Sequence, residues 1–187
     1  MSHYFIGIKV PHEIGQKLVQ TQQALKPHAS YKNWVHQDDF HITLKFLGHV
    51  DESLIPKLKE DLTQIELSNP IDLEVNRTSY FGKPTQPRVL FAEVAFNQVL
   101  ESLKNKVEDV AIQYGFSKEK RAFKPHITLA KKWRDHTVEC DSNVLEQIFN
   151  PSLDFRVNTF QLFQIHPSEE PKYQAIDQFQ FVEIGDI

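Results

Sequence analysis

Cysteine is almost absent from this chain, since Cys140 is the only one in 187 residues. A single thiol excludes an intramolecular disulfide and every metal site that is built from several cysteines. Scarce cysteine is typical of a reducing compartment, and the opening residues MSHYFIGIKV lack the basic and apolar regions of a secretory signal. We therefore expect a cytoplasmic protein in which Cys140 has a structural role.

Long apolar stretches are missing as well. No run reaches the ~18 apolar residues that a membrane-spanning helix needs, so we expect no membrane insertion. The chain has only 6 glycines, and none of them forms the glycine-rich loop that cradles nucleotide phosphates. This argues against a P-loop kinase or a nucleotide-hydrolysing motor.

Excess positive charge is also lacking, because the net charge is -4. Nothing in the global balance attracts nucleic acid or an anionic membrane. Basic residues nevertheless cluster between positions 118 and 134, where a single acid, Glu119, accompanies Lys118, Lys120, Arg121, Lys124, Lys131, Lys132 and Arg134. Such a run is often only a solvated face, so its meaning depends on the motif that it brackets.

Hydrophobic periodicity predicts the same alternation of strands and helices in both halves of the chain. In the first half we expect strands at residues 4–10, 40–47 and 71–80, and helices at 11–25 and 51–67. In the second half we expect strands at residues 89–96, 126–130, 155–165 and 173–184, a helix from Asn97 to about 114 that Gly115 ends, and a weaker helix at 144–149.

Spacing supports an internal duplication. Val10, which ends the first strand, lies 31 residues before His41, and Phe96 lies 30 residues before His126. A repeated unit predicts two similar lobes related by an approximate two-fold axis. Because no long linker separates them, we expect residues 1–187 to form one compact domain.

The tetrapeptide His-Ile-Thr-Leu occurs once in each half, at residues 41–44 and 126–129. Alternate side chains of a strand share a face, so each histidine projects together with the threonine two residues later. One His-x-Thr is a weak signal, but two identical copies at matched positions of a repeat are specific. The structural alternative is that duplication merely preserved a buried strand.

Two histidines and two threonines that face each other suit displacement at a phosphodiester. One imidazole can accept the proton of the attacking oxygen while the other donates a proton to the leaving oxygen. The threonine hydroxyls can donate hydrogen bonds to the non-bridging oxygens, where charge accumulates. In a nearly symmetric site either histidine can take either role.

These motifs resemble those of the two-histidine (2H) phosphoesterases, and in particular the RNA 2',3'-cyclic phosphodiesterases once described as 2'-5' RNA ligases. The resemblance covers nearly the whole chain and rests on YFIGIKVP at residues 4–11, on Trp34 before FHITLKFLG at 40–48, and on RAFKPHITLAK at 121–131. It implies an α+β, bilobal fold in which two antiparallel sheets with outer helices line a central cleft. It implies no metal and no cofactor.

The same resemblance implies residue roles. His41 matches the proton donor to the leaving ribose oxygen, and His126 matches the histidine that activates water, so that the product is a 2'-phosphate. Thr43 and Thr128 match the phosphate-binding hydroxyls. Lys131 stands where relatives often carry arginine, and it keeps the charge without the planar fork of a guanidinium.

The implied substrate is RNA, or an oligonucleotide, that ends in a 2',3'-cyclic phosphate, and we expect the enzyme to be a monomer. Arg121, within the basic run, is a candidate for contact with the RNA backbone. Aromatic residues can stack on bases, and the candidates are Tyr4, Phe5, Phe46 and Phe81.

Three alternatives remain. A metal site could use His36, His41, His49, Asp38 and Asp39, but the sequence has neither a His-Glu-x-x-His helix nor paired cysteines, and we discount it. The same two-histidine mechanism could act on a small cyclic or 2'-5' nucleotide. A module that binds RNA without turning it over would keep the same cleft.

Overall fold

The computed structural model describes residues 2–66, 69–83, 86–134 and 152–181. The α-helices in this part of the chain are α1 (His12–Leu25), α2 (Ile55–Thr63) and α3 (Gln98–Gln113). The strands are β1 (His3–Lys9), β2 (Tyr31–Trp34), β3 (His41–His49), β4 (Ile71–Lys83), β5 (Gln86–Val94), β6 (His126–Trp133), β7 (Leu153–Val157), β8 (Thr159–Ile165) and β9 (Tyr173–Gln180).

These nine strands form one sheet in which the described pairs are antiparallel. The order is β7-β4-β5-β6-β3-β1-β8-β9, and β2 pairs with β6 from outside this path. Strands β3 and β6, which begin with the two tetrapeptides, are neighbours at the centre and are joined by the pair Ile42 and Ile127. Along this path each half of the sheet contains four strands, and β2 is the ninth.

The two halves repeat one pattern. In the first, β1 lies beside β3 and is connected to it through α1; in the second, β5 lies beside β6 and is connected to it through α3. The α+β class expected from the sequence is therefore confirmed. The two expected sheets are halves of a single sheet, because backbone pairing at Ile42 and Ile127 bridges them. The division into two lobes within one domain stays a prediction.

Some element boundaries differ from the expected ones. Trp34 lies in the short strand β2, whose four residues lack an apolar alternation that would reveal it. The helix expected at 51–67 begins as the 3-10 turn Glu52–Leu54, because the Asp51 carboxylate accepts a hydrogen bond from the Ser53 amide at 3.0 Å. The expected helix at 144–149 and Cys140 lie outside the described residues.

The strand expected at 155–165 is two strands that separate at Asn158. The first, β7, pairs with β4 in one half of the sheet, and the second, β8, pairs with β1 in the other half. The sequence does not reveal this change of partner, because apolar residues alternate with polar ones on both sides of Asn158. The chain thus passes from one half of the repeat to the other at this point.

Both the first and the last turn of helix α3 have the residues that the sequence predicts. The Asn97 side chain accepts a hydrogen bond from the Leu100 amide at 3.0 Å, which caps the first turn. Gly115, with φ of +83°, follows the last turn in a conformation that favours glycine. Within the described part of the chain, no helix has the length and apolar character needed to cross a membrane.

Gly7 brings β1 close to β3 at the tetrapeptide. It pairs with Thr43, and a Cβ atom at this position would lie 2.7 Å from the carbonyl oxygen of Ile42. Backbone cannot rotate away as a side chain can, so any larger residue forces the two strands apart. Gly7 is therefore required by close approach and not by an unusual φ angle.

We expect Gly7→Ala to lower the free energy of unfolding by about 1–3 kcal/mol, the usual cost of forcing an extra methyl into a packed site. Urea denaturation followed by circular dichroism measures the change. Gly15→Ala in α1 is the matched control, because its Cβ would meet the flexible Gln37 side chain at 3.2 Å and the Gln37 carbonyl oxygen only at an ordinary 3.6 Å, and alanine favours the helix. Equal destabilisation by both variants would contradict the argument.

Candidate active site

Each tetrapeptide is a polar pair on a buried support. The histidine and threonine side chains of β3 and β6 are half-buried, whereas the isoleucine between them and the leucine after them are buried. Ile42 and Ile127 are completely enclosed. The alternation predicted for His41, Thr43, His126 and Thr128 is therefore confirmed.

The strand register brings these four residues together. Because Ile42 faces Ile127 in an antiparallel pair, His41 lies opposite Thr128 and Thr43 lies opposite His126. Directly opposed Cβ atoms are about 5 Å apart, and diagonal neighbours are about 7–8 Å apart. The two histidines occupy one diagonal of this square and the two threonines occupy the other.

Both imidazoles are oriented by the same kind of hydrogen bond. His41 Nδ1 lies 2.7 Å from the carbonyl oxygen of Asp39, and His126 Nδ1 lies 2.7 Å from the carbonyl oxygen of Lys124. A carbonyl only accepts hydrogen bonds, so Nδ1 carries the proton in each neutral ring. The other nitrogen, Nε2, is thus the atom that can exchange a proton with a substrate.

Aromatic rings enclose each histidine. The His41 ring centroid lies 4.5 Å from that of Phe5 and 5.0 Å from that of Tyr173, which meets it edge-on. The His126 centroid lies 5.0 Å from Phe81 and 5.1 Å from Phe91. These contacts exclude water from one side of each imidazole and restrict its rotation.

Burial makes both histidines hard to protonate. Desolvation lowers the pKa of His41 from 6.5 to about 4, against the opposing effect of the hydrogen bond to Asp39, and the positive charge of Lys131 lowers it further. Desolvation also lowers the pKa of His126, with further contributions from Lys124 and Lys131. Both rings are therefore neutral at pH 7 when no anion is bound.

Lys131 lies close enough to affect both imidazoles. Its residue surface is exposed, but desolvation of the ammonium end and repulsion by Lys172 lower its own pKa, and Asp39 acts in the opposite direction. The sequence places this lysine five residues after His126, and the antiparallel register returns it to the His41 end of the site. A cation here attracts an anionic substrate.

Asp39, which the sequence suggested only as part of a discounted metal site, instead positions His41. Its carboxylate is 5% exposed and accepts hydrogen bonds of 2.9–3.0 Å from the amides of Lys172 and Tyr173. Its carbonyl holds His41. Asp39 therefore fixes both the imidazole and the segment that packs Tyr173 against it; the signal was an acid two residues before the histidine.

A bulge follows the threonine in both strands. The pairs of β1 with β3 pass from Thr43 to Lys45, and the pairs of β5 with β6 pass from Thr128 to Ala130. The leucine of each tetrapeptide is thus the extra residue. Bulges re-aim the side chains beyond them, and Phe46 and Lys131, each three residues after its threonine, are exposed.

The remaining candidates divide into enclosed and exposed residues. The prediction that Tyr4 and Phe5 stack on bases is wrong, because their side chains are 3% and 2% exposed; Phe5 supports His41 instead. Phe46, Phe81 and Arg121 line a cavity that begins at Thr43 and His126.

Among the described residues, no group of three or more His, Cys, Asp or Glu side chains is arranged to hold a metal ion.

Comparison with known sequences gives one family. The pattern of the LigT-like phosphoesterases matches residues 8–91 and 93–173. Over 179 residues, the chain is 36% identical to the RNA 2',3'-cyclic phosphodiesterase of Bacillus subtilis, covering 95% of this chain and 96% of that protein. A protein of the same name from Thermotoga maritima is 27% identical, covering 95% and 94% of the two chains.

Solved structures have the same fold. TT0787 of Thermus thermophilus superimposes with a TM-score of 0.78 at 22% identity, covering 97% of this chain and 99% of that one. LigT of E. coli in complex with 3'-AMP gives a TM-score of 0.76 at 20% identity, with coverage of 97% and 99%. At these identities the likeness concerns the fold alone.

We expect Lys131→Met to raise the pKa of both His41 and His126, because a neighbouring positive charge that opposes protonation is removed. Nuclear magnetic resonance titration of the imidazole carbon-bound protons measures both values, and the native His41 should titrate near pH 4. Lys132→Met is the matched control from the same strand. Equal shifts in the two variants would contradict a specific role for Lys131.

Proposed function

Because the chain belongs to the LigT-like phosphoesterase family, we propose that it hydrolyses the 2',3'-cyclic phosphate ends of RNA to 2'-phosphates. The observation that carries this proposal is the diagonal placement of two imidazoles, each with Nδ1 bonded to a carbonyl, across one antiparallel pair. The name of the Bacillus subtilis relative supports the choice of substrate.

The geometry supports an in-line mechanism. The Nε2 atom of His126 takes a proton from water as the water oxygen forms a bond to phosphorus. The bond from phosphorus to the 3' oxygen breaks, and the Nε2–H of His41 protonates that oxygen, which leaves the phosphate on the 2' oxygen. The assignment of acid and base follows the family resemblance, since the register treats the two histidines alike.

Threonines and lysine would stabilise charge on the phosphate. Thr43 and Thr128 occupy the other diagonal of the square, where their hydroxyls can donate hydrogen bonds to the non-bridging oxygens. Lys131 adds a positive charge beside both histidines. These groups are held on buried strands, so little reorganisation accompanies the reaction.

The low pKa values of the two histidines imply that the substrate itself helps to protonate the general acid. Catalysis requires one proton on the histidine pair, yet both rings are neutral at pH 7 in the empty site. A bound phosphate anion favours the imidazolium form and so raises the pKa of its neighbours. Substrate binding thus loads the general acid, and an acid with an intrinsically low pKa donates its proton readily.

We expect His41→Ala and His126→Ala each to lower the hydrolysis rate by about 10²- to 10⁴-fold, the usual contribution of one general acid or base. The assay uses an oligonucleotide with a 2',3'-cyclic phosphate end, with chelator present, and identifies the product isomer by chromatography. His28→Ala, an exposed histidine on a 3-10 turn, is the control and should retain full activity.

A 3'-phosphate product would contradict the proposed orientation of the ribose. Tight RNA binding without turnover in the native protein would instead support a binding module. Hydrolysis of small cyclic nucleotides together with inactivity on RNA ends would identify a nucleotide phosphodiesterase that uses the same two histidines.

We expect the pH dependence of kcat/KM to differ from that of kcat. The pH dependence of kcat/KM reports the free protein, in which the pKa values of both histidines lie below 6.5. We therefore expect kcat/KM to peak below pH 6.5 and, well above the peak, to fall about tenfold for each pH unit. The pH dependence of kcat reports the complex, in which the anion raises these pKa values, so its alkaline limb should lie at higher pH. Rates from pH 4 to 9 measure both; a kcat/KM that rises between pH 6.5 and 8 would overturn this account.

A further inference from the structure

We propose that Phe46 stacks on the base of the nucleotide that precedes the cyclic phosphate end, so that the enzyme prefers oligonucleotides to cyclic mononucleotides. This inference rests on the proposed function and adds a determinant of substrate length. The site involved is a cavity of about 740 Å³, here called the Phe46 groove, whose wall includes Phe46, Phe81, Phe116, Lys118, Arg121 and Phe123.

The Phe46 groove opens directly from the reaction site. Thr43 and His126 line one of its ends, and the segment before β6 forms the opposite wall. Pockets of about 300–1,000 Å³ accommodate whole small ligands, and a phosphate bound between the histidines would fill only a small part of this volume. The remaining space is suited to nucleosides.

Phe46 is an apolar ring left open to this space. Its side chain is 60% exposed, although the residues on either side of it in β3, Lys45 and Leu47, are buried. The bulge at Leu44 accounts for this exposure, because it changes the face toward which the following residues point. An exposed aromatic ring in a groove is the feature that single-stranded nucleic acid uses for stacking.

Position along the strand selects the nucleotide. Phe46 lies three residues beyond Thr43, roughly 8–10 Å along a strand that contains a bulge. Phe46 is therefore farther from the two tetrapeptides than Phe81 is, and we assign it to the nucleotide before the terminal one. Phe81, whose ring is 5.0 Å from that of His126, is the aromatic residue nearer to the terminal nucleoside.

Charge in the groove matches a phosphate backbone. Five cationic side chains line it, with Glu119 as the lining carboxylate, but Lys45 and Lys104 are paired with Glu108, and Lys124 lies 3.3 Å from Glu93. The two remaining cations, Lys118 and Arg121, are exposed. Arg121 is 93% exposed and is 3.9 Å from Glu119, so its guanidinium remains accessible to a second anion. The excess of positive charge is local, since the chain as a whole carries -4.

A buried ion network holds the opposite wall in place. Lys45 donates hydrogen bonds to Glu108 at 3.0 Å and to the carbonyl of Ser117 at 2.6 Å. Glu108 also accepts from Lys104 at 2.6 Å and from the amide of Glu119 at 2.7 Å. Burial alone would raise the pKa of Glu108, but these donors lower it to about 2, so the carboxylate stays charged.

The network therefore fixes the spacing across the groove. Lys45 is the residue next to Phe46 in β3, and its ammonium group reaches the segment that carries Lys118 and Arg121. A preorganised groove binds a flexible strand with a smaller entropic penalty than a mobile one. Because stacking needs an unpaired base, the occupant is single-stranded RNA.

The test compares a dinucleotide with a 2',3'-cyclic phosphate end, the same dinucleotide lacking its first base, and the cyclic mononucleotide. In the native protein, we expect kcat/KM to be highest for the intact dinucleotide. Phe46→Ala should lower this value by about 5- to 150-fold, the equivalent of one stacked base. The ratio of intact to abasic dinucleotide should fall toward one, and Phe46→Trp should restore it.

Phe96→Ala is the matched control, because this phenylalanine is 75% exposed and does not line the groove; it should leave the ratio unchanged. A native ratio near one, or an equal loss on all three substrates in Phe46→Ala, would overturn the stacking inference and leave the proposed function standing. Were no substrate hydrolysed, the proposed function would fail separately. Fluorescence anisotropy with a labelled hexanucleotide then tests the groove, since Phe46→Ala must weaken binding if stacking occurs.

Discussion

The antiparallel pairing of Ile42 with Ile127 is the contact on which the geometry of the site depends. Both side chains are fully buried, so the register cannot slip by one residue without exposing them and turning the histidines inward. Hydrophobic burial on one face thus determines the separation of the two histidines on the other. Gly7 permits this arrangement because its missing side chain lets β1 approach β3 beside Thr43.

The sequence alone predicted the features that depend on local residue patterns. Alternation and duplication predicted most of the strands, the capped helix and the face shared by His41, Thr43, His126 and Thr128, but not the short strand β2. Contacts between distant segments could not be predicted in this way: Asp39 meets the amides at 172–173, and the chain changes sheet halves at Asn158. The burial of Phe5 was not predicted either. An aromatic residue in an alternating strand is equally consistent with a position in the core and a position in the cleft.

Duplication produces two equivalent histidines, but hydrolysis needs an acid and a base. The surroundings supply the difference. His41 contacts Phe5 and Tyr173 and has Asp39 behind it, whereas His126 contacts Phe81 and Phe91 and opens onto the Phe46 groove. Unequal burial gives the two imidazoles different affinities for a proton, which is the difference that the proposed division into acid and base requires.

The same bulge in both strands extends this asymmetry to the substrate. Phe46 and Lys131 follow their threonines by three residues and correspond in the repeat. Because β3 and β6 run in opposite directions, the two residues lie at opposite ends of the site: Lys131 beside Asp39 and Tyr173, and Phe46 in the larger groove. One copy of the position carries a positive charge and the other an exposed aromatic ring, and this difference is what gives the proposed RNA-binding cleft a direction.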